Sequence, residues 1–368
     1  MLRKYALVIG LLVVFLSIIG VNTSFACTDF VLKAEDGTII NARTNEFAIP
    51  ASSNLVFEPS GKDFSSTAPD GQKGLSWKSR YSFLAANGMD LGEKFVDGMN
   101  EAGLSVGLLL FTESKYETVD KPESALSNLD LVSWILGNFA TVEELKKELP
   151  NVRVWLETIP SLNAALPLHV AVHDAQGSNL VIEFINGEKK IYDNPIGVMT
   201  NMPEFPWQIT NLRTYVNLNS VNAESKDFSG VTIKPFGQGS GWLGMPADWT
   251  PVSRFVRITQ MVNSVYPAKD AKATLNLSLH IINNVDIPLG VIREKQADGS
   301  FVCELTQWTI FKDLTNKVIY FKTYDNPNLR FIDLKKLALD NKVSSKVLTI
   351  PVSEGLDPQD LTSKMTQQ

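Results

Sequence analysis

The segment CTDFVLKAEDGTIINARTNEF, residues 27–47, contains two candidate strands and the turn that joins them. The strands, Thr28 to Lys33 and Thr38 to Arg43, are rich in apolar and β-branched residues and flank Asp36-Gly37. Asp-Gly is a preferred sequence for a tight hairpin turn, because both residues tolerate a positive φ. The segment therefore predicts a β-hairpin that begins directly after Cys27.

The residues before Cys27 have the pattern of a secretory signal peptide. Arg3 and Lys4 supply positive charge, Ala6 to Gly20 is almost wholly apolar, and Ser24-Phe25-Ala26 has small residues at the two positions that a signal peptidase reads. We therefore expect residues 1–26 to be cleaved off after Ala26, and the protein to be periplasmic or secreted.

Cleavage after Ala26 would give Cys27 both a thiol and a free α-amine. The ordinary pKa is about 7.7–8.0 for the amine and about 8.5 for the thiol, so the amine can act as a base toward the thiol near neutral pH. Two other interpretations stay open at this stage. Cys27 could be an ordinary buried residue, or the acylated cysteine of a lipoprotein. Ser24 stands where lipoprotein signals usually have Leu and is followed by bulky Phe25, which argues against lipidation.

The composition is that of an ordinary globular protein. Of 368 residues, 44% are hydrophobic and 20% charged, and the formal net charge is −6 without a basic run. Nucleic acid is therefore not an expected partner. After residue 20, no apolar stretch has the length of a membrane-spanning helix, so we expect no span after signal removal.

Cysteine and histidine usage argues against a disulfide framework and against a metal site. The chain has two cysteines, Cys27 and Cys303, and we expect Cys303 to be a core residue. His169 and His173 are four residues apart in a segment that alternates like a strand, unlike a metal-binding helix. We expect this pair to be structural or solvated, and neither a metal nor a cofactor to be needed.

The order of predicted elements is strands, helices, strands, helices, strands. Besides the first hairpin, strands are predicted at 95–100, 103–111, 168–173, 180–185, 308–312 and 317–323, and helices at 129–139, 141–150, 254–265 and 271–284. The capping box Thr141-Val-Glu-Glu144 opens the second helix. This order favours an α+β fold in which helices cover antiparallel sheets. We expect the polar segment from about 335 to be a peripheral helix or a tail.

Nine segments, spread in order along the chain, carry a resemblance to a known family. They are CTDF (27–30), NARTNEF (41–47), DGMNEAGL (97–104), GVMTNMP (197–203), TNLR (210–213), PFGQGSGWLGMP (235–246), SRFVR (253–257), DIPLG (286–290) and YDN (324–326). The chain resembles the choloylglycine hydrolase family, most closely its penicillin V acylase branch. The resemblance implies an N-terminal-nucleophile fold of four layers, αββα, over residues 27–368, which hydrolyses linear amide C–N bonds and forms a homotetramer.

The resemblance also implies roles for five residues. Cys27 matches the nucleophile, and Arg43 matches an arginine beside it that favours the thiolate. Glu46 falls where the family often has the Asp that holds the α-amine. Asn201 matches the side-chain amide of the oxyanion hole, and Arg254 a second active-site arginine. Without the family resemblance, Arg43 would be interpreted as part of a strand-end ion pair and Glu46 as an exposed acid. Asn201 would be interpreted as a turn residue and Arg254 as a charge at the start of a helix.

Leu110 stands at a position where bile salt hydrolases usually have Asn and penicillin V acylases Tyr. Leucine offers no side-chain donor, so the oxyanion hole would use Asn201 and backbone N–H groups, including that of Leu110. An apolar residue here predicts an apolar acyl pocket. A slip of one residue in the match would instead put Leu109 or Phe111 in the site.

The expected reaction needs only the protein's own groups and a small N-acyl amide. The α-amine takes the thiol proton, the thiolate attacks the carbonyl, and water hydrolyses the thioester. Candidate acyl groups are phenoxyacetyl, cholate and the fatty chain of N-acyl homoserine lactones. The alternative from another class is a non-catalytic exported lipoprotein or an inactive homologue.

Overall fold

The computed structural model describes residues 26–89, 91–160, 163–339, 346–349, 355, 356 and 358. The predicted signal peptide lies outside these residues, except for Ala26. Within the described ranges, none of the helices has the length and apolar character needed to cross a membrane.

The strands of the described residues fall into two large antiparallel sheets and four two-stranded ribbons. In chain order they are β1 (Thr28–Lys33), β2 (Ile39–Phe47), β3 (Asn54–Glu58), β4 (Asp63–Thr67), β5 (Lys73–Lys78), β6 (Phe83–Asn87), β7 (Phe95–Asn100), β8 (Ser105–Leu110), β9 (Ala125–Ser127), β10 (Arg153–Trp155), β11 (Thr158–Ile159), β12 (Ala164–Ala165), β13 (Leu168–His173), β14 (Asn179–Ile185), β15 (Glu188–Asp193), β16 (Val198–Met199), β17 (Lys226–Phe228), β18 (Val231–Ile233), β19 (Ile292–Lys295), β20 (Phe301–Asp313), β21 (Val318–Thr323), β22 (Arg330–Asp333) and β23 (Lys346–Thr349).

Sheet I has the order β16-β1-β2-β20-β21-β22, with β19 paired to β20, and sheet II has the order β15-β14-β13-β8-β7-β6-β3-β23. The α-helices are α1 (Leu131–Asn138), α2 (Val142–Glu148), α3 (Phe205–Asn211), α4 (Pro251–Ser264), α5 (Ala271–Ile282) and α6 (Leu334–Leu339).

Three apolar clusters show how these elements stack. One cluster joins the two sheets, with Phe57 and Met99 of sheet II against Ile310 of sheet I. A second packs α4 and α5 onto sheet I, and a third packs α1 and α2 onto sheet II. The layers are therefore helices, sheet I, sheet II and helices. This is the αββα arrangement of the N-terminal-nucleophile hydrolases, and the predicted α+β class is confirmed.

The first hairpin forms as predicted. Gly37 has φ +88°, and the Asp36 carboxylate accepts the N–H of Thr38 at 2.9 Å. The strand β1 has the predicted bounds, whereas β2 continues past Arg43 to Phe47. Polar residues extend β2 because they pair with β20 and face buried partners, which a pattern of apolar residues does not reveal.

The C-terminal segment from about 335 is more than a tail. After α6, Lys346–Thr349 forms β23, which pairs antiparallel with β3 at the edge of sheet II. Backbone hydrogen bonds to β3 hold this strand, so the overall polarity of the segment from about 335 is a weak guide to its place.

Candidate active site

Cys27 immediately precedes β1 and is buried. Its N–H donates to Oδ1 of Asn201 at 2.8 Å, and its carbonyl oxygen accepts Nη1 of Arg254 at 2.5 Å. Asn201 and Arg254, which lie 174 and 227 positions away in the chain, therefore hold the backbone N–H and C=O groups of this cysteine. Both residues were selected from the sequence.

Asn201 reaches Cys27 because β16 lies at the edge of sheet I beside β1, with Met199 opposite Asp29. Oδ1 of Asn201 accepts from Cys27 and from Nη2 of Arg254 at 2.8 Å, while Nδ2 donates to the carbonyl of Leu110 at 2.8 Å. Two donors on one side-chain atom identify it as the oxygen. The amide group is thereby fixed, and the second hydrogen of Nδ2 has no partner within the described chain.

Arg254 lies in the first turn of α4, which begins after the N-cap Thr250 with Pro251 at its first position. Besides Cys27 and Asn201, the guanidinium donates to Oγ1 of Thr28 at 2.8 Å and to the carbonyl of Trp249 at 2.8 Å. All four acceptors are neutral oxygens. Arg254 therefore fixes the start of β1 to α4 and keeps its positive charge beside the cysteine.

Arg43 lies on β2 and points between the two sheets. It donates to the carbonyls of Val96 and Leu108 and to Oδ2 of Asp97, 3.1 Å away. Asp97 also accepts Nζ of Lys312 at 2.7 Å, and all three charged side chains are buried. This cluster carries two positive charges and one negative charge.

Glu46 points to the opposite face of β2 from Arg43, because side chains alternate along a strand. Its two carboxyl oxygens accept the hydroxyls of Thr44 at 3.0 Å and Thr306 at 2.8 Å. Burial raises the pKa of Glu46 to about 8, against the opposing effect of Arg254. The N–H of Cys27 goes to Asn201 instead, so the expected contact of Glu46 with an α-amine stays a prediction.

Burial also raises the pKa of the Cys27 thiol above its ordinary value. Arg43 and Arg254 act in the opposite direction, but they do not outweigh the loss of solvation, and Glu46 adds to the rise. Arg43 thus lowers the pKa of the thiol, which is the direction that the sequence analysis expects. In the uncut chain the thiol is nevertheless protonated near neutral pH, so any reaction at Cys27 needs a base.

An apolar cleft opens at Cys27, with a volume of about 520 Å³ including its mouth. Leu110 lines this cleft together with Leu108 and Leu168, whereas Leu109 is absent from its lining and belongs to a buried cluster with Phe30 and Ala171. Strand alternation therefore puts Leu110 on the cleft side, as the sequence match requires. The other lining residues include Phe47, Ala51, Met89 and Val96.

The remaining candidates of the sequence lie away from this cleft. His169 contacts Glu183 at 3.2 Å, and His173 contacts Asp29 at 2.6 Å, so both are structural. Cys303 is a free thiol on β20 that is only half-buried, because it lies near the edge of sheet I, so its expected core position is wrong. The described residues contain no group of three or more His, Cys, Asp or Glu placed to bind a metal ion.

Sequence reasoning missed several polar residues around Cys27. Thr306 and Glu304 come from β20, and Asp97 and Lys312 support Arg43. Glu304 accepts the N–H of Ala26 at 2.7 Å. Alternation along β20 would have shown that Glu304 and Thr306 share a face, but not that this strand lies beside β2.

Residues 27–347 match the family model of linear amide C–N hydrolases, choloylglycine hydrolase family. The chain belongs to the choloylglycine hydrolase family. A bile salt hydrolase/transferase of Clostridium perfringens is 32% identical over 325 residues, which cover 85% of this chain and 94% of that protein. A penicillin V acylase of Pectobacterium atrosepticum is 28% identical over 343 residues, covering 87% and 84%.

Solved structures agree with this assignment. A variant of the conjugated bile acid hydrolase of C. perfringens superposes with a TM-score of 0.79 at 27% identity, covering 91% of this chain and 100% of that one. Penicillin V acylase of Agrobacterium tumefaciens gives 0.72 at 27% identity, covering 88% and 92%. This choloylglycine hydrolase family member is therefore a linear amide C–N hydrolase with the N-terminal-nucleophile fold.

Proposed function

We propose that this protein is an exported amidohydrolase whose nucleophile is an N-terminal Cys27, freed by cleavage after Ala26. The observation that carries the proposal is the position of Cys27, which lies at an apolar cleft with its backbone held by Asn201 and Arg254. The family match begins at this residue. Export is supported by the signal-like pattern of residues 1–26.

The α-amine of Cys27 is the proposed base. Because burial raises the pKa of the thiol, a neighbouring acceptor is needed to form the thiolate, and the amine of the same residue is within reach. The thiolate attacks the amide carbonyl, and the ammonium then protonates the leaving nitrogen. Water hydrolyses the resulting thioester and regenerates the thiol.

The proposed oxyanion hole uses the second N–H of Asn201 and the backbone N–H of Leu110. The hydrogen bond from Asn201 to the carbonyl of Leu110 holds these two groups side by side at the cleft. A single donor of this kind is worth about 10²–10³ in rate.

The acyl group is proposed to be apolar, since the cleft is lined almost wholly by apolar side chains. By analogy with the relatives, the candidate reactions are penicillin V acylase-like and conjugated bile salt hydrolase-like hydrolysis. Leu110 in the cleft also favours a fatty acyl chain, as in an N-acyl homoserine lactone.

Two measurements test this proposal. The intact mass of the secreted protein should correspond to a chain that begins at an unmodified Cys27, and a diacylglycerol adduct would contradict the proposed N-terminal nucleophile. A release assay over penicillin V, glycocholate and acyl homoserine lactones of graded length then identifies the acyl group. A correctly cleaved protein that releases none of these acids would contradict the proposed substrates.

We also propose a homotetramer. The segment 216–243, which contains the β17–β18 ribbon, exposes large apolar side chains that a monomer would leave in water. They are Val216, Val221, Phe228, Val231, Ile233, Phe236 and Leu243. Light scattering of the purified protein measures the mass of the assembly, and a monomer at micromolar concentration would contradict the proposal.

A further inference from the structure

Glu304 on β20 is a buried acid with a free acceptor. Only 3% of the residue is exposed; Oε1 accepts the N–H of Ala26 at 2.7 Å, and Oε2 has no hydrogen-bond partner within the described chain. A buried polar atom without a partner is costly. The free oxygen therefore leaves room for one more donor at this place.

The donor that cleavage would create is close to Glu304. The backbone nitrogens of Ala26 and Cys27 are three bonds apart, so they are separated by less than about 4 Å. Oε1 of Glu304 therefore lies within about 7 Å of the nitrogen of Cys27. Cleavage after Ala26 would remove the N–H that Glu304 now binds and would turn the nitrogen of Cys27 into an α-amine.

We propose that Glu304 is a positioning residue whose carboxylate binds the α-ammonium of mature Cys27. The space that Ala26 fills lies between the two groups, so rotation of the Glu304 side chain brings them into contact once Ala26 has left. When the thiol proton moves to the α-amine, Glu304 stays ionised and stabilises the new positive charge. The inference rests on the proposed function, because this ammonium exists only in a chain cut after Ala26.

The charges around Glu304 fit a cation. It interacts electrostatically with Arg254 on α4, Glu46 on β2 and Glu294 on β19. Arg254 is the one cation among these groups, and its recorded hydrogen bonds go to neutral oxygens, with none to Glu46 or Glu304. Two buried carboxyl groups thus share one arginine that bonds to neither.

The protonation of both acids in the uncut chain agrees with this view. Burial raises the pKa of Glu304 to about 7 and that of Glu46 to about 8. Near pH 7 both groups are therefore partly protonated. A second cation would lower both pKa values, because an opposite charge favours the ionised form. The ammonium of Cys27 is the cation that this reaction supplies.

The test uses mature protein whose mass shows an N-terminal Cys27, with and without Glu304→Gln. The first readout is the rate at which iodoacetamide alkylates Cys27, measured on the N-terminal peptide at a series of pH values so that Cys303 does not contribute. The second readout is kcat and KM, each determined separately. We expect the alkylation rate at pH 7 and kcat to fall about tenfold, equivalent to about one pKa unit, with KM unchanged. Glu304→Asp keeps the charge and should stay within about threefold of wild type.

Glu294→Gln is the matched control, because it removes a neighbouring carboxylate on β19 that is only half-buried. We expect it to change the alkylation rate by less than about twofold, as for a screened surface charge. An equal effect of Glu294→Gln and Glu304→Gln would overturn the proposed contact. An alkylation profile of Glu304→Gln identical to wild type would also overturn it and leave Glu304 with a structural role.

A second measurement decides the matter if Glu304→Gln does not fold. In wild-type protein labelled with ¹⁵N-cysteine, the α-amine should titrate at or above its ordinary value of about 7.7, although burial alone would lower it. A lower value would overturn the proposal. Failure of the proposed function itself is seen separately, as a wild-type N-terminus other than Cys27 or as undiminished turnover by Cys27→Ala.

Discussion

The two faces of β2 carry charge clusters of opposite sign. Between the sheets, Arg43 and Lys312 share the single carboxylate of Asp97, an excess of one positive charge. On the other face, Glu46 and Glu304 share the single guanidinium of Arg254, an excess of one negative charge when both acids are ionised. In the first cluster Asp97 forms salt bridges with both cations, whereas in the second Arg254 forms no recorded hydrogen bond with either acid.

Cys27 lies where both clusters act. Arg43 of the first cluster lowers the pKa of its thiol, and Glu304 of the second cluster accepts the N–H of the preceding residue, Ala26. A thiolate needs positive charge and an ammonium needs negative charge, so the two faces together suit the ion pair that the proposed mechanism forms. One strand can supply both environments, because its side chains alternate.

The largest expected effect follows from removing the residue on which both clusters act. Cys27→Ala, with signal cleavage intact, should abolish amide hydrolysis while the thermal unfolding temperature stays close to that of wild type. Cys27→Ser should leave little activity, because a hydroxyl is far harder to ionise than a thiol. Normal turnover by Cys27→Ala in a release assay would show that Cys27 is not the nucleophile and that the two clusters do not serve one catalytic site.

The next effect separates the clusters by stability. Asp97→Ala leaves Arg43 and Lys312 buried without a counter-charge, so we expect unfolding free energy to fall by about 3–5 kcal/mol. Glu46→Gln keeps one oxygen that accepts one threonine hydroxyl and adds an NH2 that can donate to the other, so we expect a loss of about 1 kcal/mol or less. Urea unfolding of both variants measures the difference. Equal losses of unfolding free energy in the two variants would mean that the clusters do not differ in how their charges are paired.

A smaller effect is expected on the apolar side of the site. Leu110→Ala enlarges the cleft, and should change the preference between a short and a long acyl substrate by about 1–3 kcal/mol in relative kcat/KM. Leu109→Ala is the matched control, since Leu109 points away from the cleft and its loss should lower stability without changing preference. If Leu110→Ala lowers both kcat/KM values equally and also lowers stability, Leu110 is only a core residue.

A last expected effect is a pH dependence of stability in the uncut chain. The pKa values of Glu46 and Glu304 are raised on folding, so the folded chain binds more protons than the unfolded chain between about pH 4.5 and 8. Stability should therefore decrease as pH rises through this window. Thermal unfolding of the uncut protein, which keeps Ala26 before Cys27, measures how stability changes with pH. The double variant Glu46→Gln/Glu304→Gln should flatten this pH dependence. A slope unchanged by that double variant would show that other groups cause it.

Much of the fold was predictable because its signals are local. The bounds of β1, β7 and β13 agree with the sequence prediction, and Thr141 caps α2 with its hydroxyl on the N–H of Glu144. Alternation and capping depend on neighbouring residues, so they can be read from the chain. The polar end of β2 and the late strand β23 were not predicted, because only their pairing partners hold them in a sheet.

The sequence by itself determined the family, the α+β class, Cys27 and four residues that interact with it: Arg43, Glu46, Asn201 and Arg254. Only the tertiary structure decided how charge is divided around that cysteine. Asp97, Lys312 and Glu304 are far from Cys27 in the chain, and their roles depend on which strands lie side by side and which face each side chain takes. Burial then raises the pKa values of Glu304 and of the Cys27 thiol, and burial is a property of the packed layers rather than of any segment.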